Sequence, residues 1–252
     1  MYNPRTMIFF KNKSIPLTDI FNDNFVDIHS HLLPGIDDGA KTLENSIELL
    51  LKLRSYGIKN LITTPHVLGD VYPNSTETIL TKLDEVKSEL LRRNITDISL
   101  RASAEYMLDE QFSLRLENND IIPLKDNFIL VEMSYFNAPY NLYEVLFDIQ
   151  LKEYKPILAH PERYNFYHED FNHFYKLKQA GCLFQLNLLS LTEQYGKGVQ
   201  KTALKLLNEN LYDFVGTDTH HHNHLKLLKE IGKSKIKKKI MHLIENNQKF
   251  QG

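Results

Sequence analysis

Residues 25–57, FVDIHSHLLPGIDDGAKTLENSIELLLKLRSYG, read as a strand, a polar loop and an amphipathic helix in direct succession, and the rest of the chain repeats that order. FVDIHS is short and apolar, whereas LENSIELLLKLRSYG spaces its leucines and isoleucines by three and four residues. Further strands are expected at NLITTPH, DISLRASAEY, FILVEM, KPILAHP, CLFQLNLLS and YDFVGTD. Helices are expected at STETILTKLDEVKSELLRR, a short piece near 109–118, NLYEVLFDIQLKEY, FNHFYKLKQAG and GVQKTALKLLNEN, with a last helix from about His224 towards Gln248. Several strands are nearly continuous in Val, Ile and Leu, as strands of a parallel sheet covered by helices are, and strand-then-helix order demands right-handed crossovers. Seven such units predict an α/β fold, a (β/α)7 barrel; an open doubly wound sheet is the other topology, because periodicity does not count closure. No repeat of fixed period and no Gly/Ser/Pro-rich linker interrupts the pattern. One domain over 25–252 is therefore expected, after an irregular leader of residues 1–24.

Of the 252 residues, 42% are hydrophobic and 25% charged, enough for a substantial core. The formal charge of −2 gives no general reason to expect a nucleic-acid or anionic-membrane partner. Cys182 is the single cysteine, so no internal disulfide forms, which fits a reducing compartment. MIFF, residues 7–10, is too short for a signal-peptide core, and no run reaches the ~18 apolar residues of a membrane helix. A soluble, cytoplasmic protein is expected.

In α/β barrels the active site lies at the C-terminal ends of the strands. Those ends carry His29 and His31, with Asp37 and Asp38 just beyond, then His66, Glu105, Glu132, His160, and Asp218 with His220. His29 and His31 stand at i and i+2, so a strand sends both imidazoles from one face. A lone residue of this kind is usually a satisfied loop side chain. Carboxylates and imidazoles from six of seven strand ends repel or desolvate one another unless divalent cations neutralise them. A multinuclear metal site is therefore expected. Mixed nitrogen and oxygen donors without a thiolate suit manganese, iron or zinc better than magnesium or calcium alone. Such a cluster activates water and clamps attacking and leaving oxygens, as in two-metal phosphoester hydrolysis, though amide and ester hydrolysis share the same logic. Arg163, three residues after His160, has the fork to hold a phosphate at that mouth; an ion pair with Glu162 or Glu169 is the plainer reading.

DIHSHLLPGIDDG, TTPH, SAEY, VEMS, LAHPERY and GTDTHH resemble, in order, the motifs of the polymerase-and-histidinol-phosphatase (PHP) superfamily. The likeness is nearest to its bacterial protein-tyrosine phosphatase branch of capsule and exopolysaccharide synthesis, the CpsB/CapC-like family, and spans nearly all of residues 25–225. The resemblance implies a distorted (β/α)7 barrel of the PHP type carrying three metals, commonly manganese, and metal-dependent removal of phosphate from tyrosine. It implies that His29, His31, Glu105 and Asp218 hold one ion, that Glu105 bridges to a second held by Glu132 and His160, and that Asp38, His66 and His220 hold the third. Arg163 is implied to bind the phosphoryl group, and the implied partner is a membrane tyrosine autokinase. Relatives often carry a second arginine past the D-x-H motif, whereas this chain has none after Arg163 and reads HHHNHLK there, leaving His221, His222, His224 or Lys226 as candidate sources of positive charge.

Leu188, six residues after Cys182, excludes the Cys-x5-Arg phosphate loop of cysteine phosphatases, and Cys182 is expected as a small buried strand residue. Asp27 is expected behind the site, orienting a ligating imidazole. His168, His173 and His242 are expected on helix surfaces or loops. The lysines of KLLKEIGKSKIKKK, 226–239, are expected to form a solvated helix face rather than a docking surface for a membrane or an acidic tail. Two alternatives remain: a PHP-type phosphoesterase acting on a small phosphorylated metabolite, and a metal-bound interaction module without turnover.

Overall fold

A computed structural model describes residues 15–232 and 234–252. Its strands are β1 (Val26–Asp27), β2 (Asn60–Thr63), β3 (His66–Val67), β4 (Ser99–Ala102), β5 (Glu105–Met107), β6 (Phe128–Glu132), β7 (Lys155–Ala159), β8 (Leu183–Asn187) and β9 (Phe214–Gly216). They form two parallel sheets, β1-β2-β4 and β3-β5-β6-β7-β8-β9. The expected second and third strands are thus each broken in two, at Thr64-Pro65 and Ser103-Ala104. Pro65 has no N–H to give the ladder, so the strand bends there. Pairing continues across both breaks, since Ser103 N–H donates to Thr63 O (2.9 Å) and Glu105 N–H to Pro65 O (3.1 Å). The bends make the barrel distorted without opening it.

Closure is visible where the first strand position meets the seventh. Ser30 bridges Thr219 in parallel, Asp218 N–H donates to His29 O (2.8 Å) and His31 N–H to Thr219 O (2.9 Å). The fold is therefore a closed (β/α)7 barrel and not an open sheet. Asp27 lies at this seam, and its role differs from the expected one. Its buried carboxylate accepts from Thr217 N–H (2.9 Å) and Thr217 Oγ1 (2.6 Å) and reaches no imidazole.

The helices follow their sequence signals. α1 (Leu43–Ser55), α2 (Thr76–Arg92) and α3 (Glu110–Glu117) begin at Thr42, Ser75 and Asp109, whose side-chain oxygens accept from Asn45, Thr78 and Phe112 N–H. α4 (Leu142–Leu151), α5 (Asn172–Gln179) and α6 (Lys197–Asn208) complete the outer ring. The single last helix expected after His224 is instead α7 (His222–Leu228), a 3-10 turn (Lys229–Gly232) and α8 (Ser234–Asn246). Glycine is a weak helix former, and Gly232 O is taken by Ile15 N–H at 2.8 Å, which ends the ladder. Within the lysine-rich stretch Lys237 donates to Asp19 O and Lys239 to Asn208 Oδ1, as a helix face tied to its neighbours; Lys233 lies outside the described residues. Among the described residues no helix is long and apolar enough to cross a membrane.

Leader residues 1–14, with MIFF, lie outside the described residues, but Leu17, Ile20 and Phe21 are buried in the outer core with α1. Cys182 is buried as expected, and burial pushes its thiol up to about 12. A second core fills the barrel: Val26, Ile28, Ile62, Leu130 and Ile157, closed from below by Phe128, Phe214 and Phe250. Phe250 meets Phe214 and Phe128 with ring centroids 4.9 and 5.5 Å apart. Asn247, buried, donates to Val26 O and Val215 O and accepts from Val215 N–H, fixing the C-terminal turn under the floor. Phe128, Phe214 and Phe250 thus close the bottom of the barrel interior. Phe250→Ala should cost about 3–5 kcal/mol, as deletion of a core aromatic does; urea unfolding will measure it, and a loss below about 1 kcal/mol would mean that the tail does not plug the barrel.

Candidate metal centre

All nine residues expected as ligands converge at the mouth. Their donor atoms form four overlapping groups, each with atoms within 4.8 Å of one another: His31, Asp38, His66 and His220; His29, Glu105 and His160; His29, His31 and Asp218; His66, Glu105 and Glu132. The geometry thus shares His31 with the Asp38 group and places Glu132 beside His66 rather than His160. Two of the nine residues sit on unusual backbone. His160 (φ 35°) and Asp218 (φ 49°) are left-handed, a conformation that costs of order 1 kcal/mol or more for a non-glycine residue and persists where the surroundings impose it. Two glycines admit the histidines. A Cβ on Gly39 would lie 2.2 Å from His31 O, and one on Gly216 would lie 2.6 Å from His29 Cβ.

Neighbours that sequence reasoning had not assigned aim the imidazoles. Asp37 Oδ2 lies 2.8 Å from His31 Nδ1 and Gln185 Oε1 2.8 Å from His29 Nδ1, so each ring turns Nε2 into the cluster. Asp37 thereby does what was expected of Asp27. Asn187 Nδ2 donates to Asp218 Oδ2 at 2.6 Å. The i+2 alternation along CLFQLNLLS was the available signal, since it places Gln185 and Asn187 on the face of β8 that points inward.

At the centre, Glu105 Oε2 faces His29 Nε2, His31 Nε2 and His66 Nδ1 at 3.1, 3.4 and 3.2 Å, and makes no aligned hydrogen bond with any of them. Glu132 Oε2 and His160 Nδ1 are likewise buried without a partner. Buried polar atoms are normally paired, and two carboxylate oxygens without partners in one cluster of imidazoles fit a bound cation. Protonation shows the same demand. Burial pushes the His66 imidazolium down, yet Glu105 and Glu132 lift its pKa to about 9. Burial opposes charge on His29 and His31 too, but the carboxylates of Glu105, Asp218 and Asp37 hold both above the ordinary value. Glu105 and Asp218 are held well below the carboxylate range by these imidazoles despite burial, whereas burial and Glu105 push Glu132 up.

Arg163 closes one side of the mouth. Its Nη1 lies 3.1 Å from Asp218 Oδ2, and its guanidinium is stacked between Tyr135 and Tyr195, 4.6 and 4.2 Å from the ring centroids. The pair with Glu162 or Glu169 does not form. Glu162 is buried and accepts from Asn187 N–H and Tyr212 Oη, and burial raises its carboxyl to about 7. Arg163, both tyrosines, Asp38, His66, His160, Asp218 and His220 line a cavity of about 260 Å³ that also reaches His221 and His224. Of the candidates for a second positive charge, His222 pairs with Glu48 on α1 and Lys226 donates to Asn223, both away from the cavity. Burial lowers His221, and lowers His224 to about 4, so neither replaces an arginine. His168 Nε2 donates to Glu162 O, His173 is near Asp170, and His242 is exposed, all outside the cluster.

Residues 25–247 match the family model described as capsular polysaccharide synthesis, CpsB/CapC. The chain is 31% identical over 197 residues to tyrosine-protein phosphatase YwqE of Bacillus subtilis, covering 78% of this chain and 77% of that one. It is 28% identical over 204 residues to tyrosine-protein phosphatase CpsB of Streptococcus agalactiae, covering 78% and 83%. A solved structure described as YwqE from Bacillus subtilis and CpsB from Streptococcus pneumoniae, metal-dependent tyrosine phosphatases, superposes with TM-score 0.77 at 28% identity over 90% of this chain and 95% of that one. A phosphotriesterase homology protein from Escherichia coli shares the fold at TM-score 0.52 and 13% identity, over 90% and 98% of the two chains.

The raised imidazoles have a pH consequence for metal-free protein. His66 titrates at about 9 folded against 6.5 as its ordinary value, so its proton stabilises the fold fully below pH 6.5 and that contribution is lost as pH rises through about 9. In chelator, the melting temperature should fall over this window, and added manganese should remove the fall. A flat chelated profile would show that these imidazoles carry no extra proton.

Proposed function

Because the chain belongs to the CpsB/CapC family of capsular polysaccharide synthesis, we propose that it is a metal-dependent protein-tyrosine phosphatase acting on phosphotyrosine proteins. The observation that carries this reading is the meeting, at one barrel mouth, of nine nitrogen and oxygen donors with one partly exposed guanidinium. We assign His29, His31, Asp38, His66, Glu105, Glu132, His160, Asp218 and His220 as the metal ligands. The donor set, free of thiolate, fits manganese best, with iron or zinc as alternatives, and its size fits three ions. The unpartnered oxygens of Glu105 and Glu132 support that fit.

Divalent cations in such a site supply charge neutralisation and a water acidic enough to attack phosphorus near neutral pH. The chain's own residues do the rest. Asp37 and Gln185 hold His31 and His29 with Nε2 inward, so that lone pairs and not N–H groups face the cations. Arg163 offers its planar fork to the phosphoryl oxygens and stabilises the charge that grows on them during transfer. Tyr135 and Tyr195 keep that fork flat against two rings, and Asn187 holds Asp218 beneath it. The leaving tyrosine departs as a phenol of pKa about 10, far more acidic than an alkyl alcohol, which favours aryl esters without a strong proton donor. The physiological substrate is a membrane tyrosine autokinase of capsule or exopolysaccharide synthesis, met in the cytoplasm by a barrel domain of residues 25–252.

The test is phosphate release from a phosphotyrosine peptide, a phosphoserine peptide and a sugar phosphate, each with manganese and with chelator. Selective manganese-dependent release from phosphotyrosine is expected; preference for the sugar phosphate would move the function to metabolite chemistry. His31→Ala and Glu105→Ala should lose metal and turnover while the far-ultraviolet circular dichroism stays native, and full activity in either would sink the ligand assignment. Arg163→Ala should retain metal but lower kcat/KM by about 100-fold or more; unaltered kinetics would place Arg163 outside the reaction.

A further inference from the structure

Beside the catalytic cavity runs a second, apolar groove of about 500 Å³, within the range of about 300–1,000 Å³ typical of small-ligand sites. The two are continuous, for Asp38, His66 and Tyr135 line both. Leu68 and Tyr72 from the β3–α2 loop, Leu108 from the β5–α3 loop and Phe136 from the β6–α4 loop form the far walls. Phe136 is 91% exposed, an aromatic ring standing at the rim with little packed against it.

Asp38, His66 and Glu132, at the end of the groove shared with the catalytic cavity, belong to the donor cluster, and the polar side chains farther out are engaged with backbone groups. Asp109 accepts from Phe112 N–H and Gly69 N–H, Ser134 Oγ accepts from Phe136 N–H, and Asn137 donates to Ala138 O. The walls formed by Leu68, Leu108, Phe136 and Pro139 offer a sugar no hydrogen-bond partner, whereas a flat hydrocarbon ring needs none. His66, stacked on Tyr72 with centroids 5.6 Å apart and planes 14° from parallel, presents a further flat wall at the junction of the two cavities.

We propose that this groove binds the aromatic ring of an aryl phosphate whose phosphoryl group lies by Arg163, and so selects aryl over alkyl and sugar phosphates. The proposal rests on the phosphatase reading for its substrate and adds to it the surface that recognises the organic half. Phe136 and Leu68 act as specificity residues that touch the ring and not the phosphate.

Non-hydrolysable probes separate the two claims. In calorimetric titration of the manganese-loaded full chain, phenylphosphonate should bind about tenfold or more tighter than methylphosphonate. Phe136→Ala, at an exposed position, and Leu68→Ser should remove most of that preference and leave methylphosphonate affinity within about twofold. Equal affinity of the wild type for both probes, or a preference intact in both variants, overturns the groove. Turnover of a phosphotyrosine peptide without the phenyl preference also overturns it while sparing the phosphatase reading; the preference without turnover supports the groove and sinks that reading. A dimer that Phe136→Ala converts to monomer, with the preference unchanged, would assign the patch to a second copy and overturn the proposal.

Discussion

Four carboxylates and five imidazoles share the barrel mouth, and most of them are out of contact with water. Desolvating that much ionisable chemistry is unfavourable by several kcal/mol per ion unless charge is compensated in place. The metal-free arrangement compensates with protons on His29, His31 and His66, which nearby carboxylates hold above the ordinary imidazole range, whereas burial and Arg163 push His160 down to about 4. Divalent cations do the same with stronger, fixed charge. One demand therefore explains the raised histidines, the oxygens left without partners, and the family's metal dependence.

Holding these donors in place constrains the rest of the barrel. The seam between the first and seventh strand positions is pinned by buried Asp27 on Thr217 and by backbone bonds through His29, His31 and Asp218, so the residues that close the barrel flank those that bind. Gly39 and Gly216 leave the space that His31 and His29 fill. His160 and Asp218 hold left-handed backbone at the mouth, while the floor is closed by close-packed aromatics. Stability is concentrated at one end and reactivity at the other, the usual division of labour in this architecture.

Charge and shape then separate around the cluster. Arg163 brings a guanidinium to the cavity, and stacking between Tyr135 and Tyr195 keeps it oriented. Of the histidines that follow Asp218, His220 lies in the donor cluster, burial lowers His221 and His224, and His222 faces Glu48.

Strand and helix order, the gathering of His, Asp and Glu side chains at the strand ends and the parallel sheet were legible in the sequence, because periodicity and strand-end placement are local properties. HLLPGIDDG, SAEY, AHPERY and GTDTH each carry their donors at a strand end whatever the exact closure. Closure itself, the breaks at Pro65 and Ser103-Ala104, and the split of the last helix at Gly232 depend on which backbone groups find partners across the barrel, and those partners are distant in the chain. The same holds for the residues behind the ligands. Asp37 and not Asp27 orients an imidazole, Gln185 supports His29 across 156 residues of chain, and Arg163 pairs with Asp218 rather than with a neighbouring glutamate. The sequence by itself determined which chemistry the protein carries, since residue types and their spacing are local. Only the tertiary structure decided which side chain supports which, because hydrogen bonds select partners by distance and angle in space.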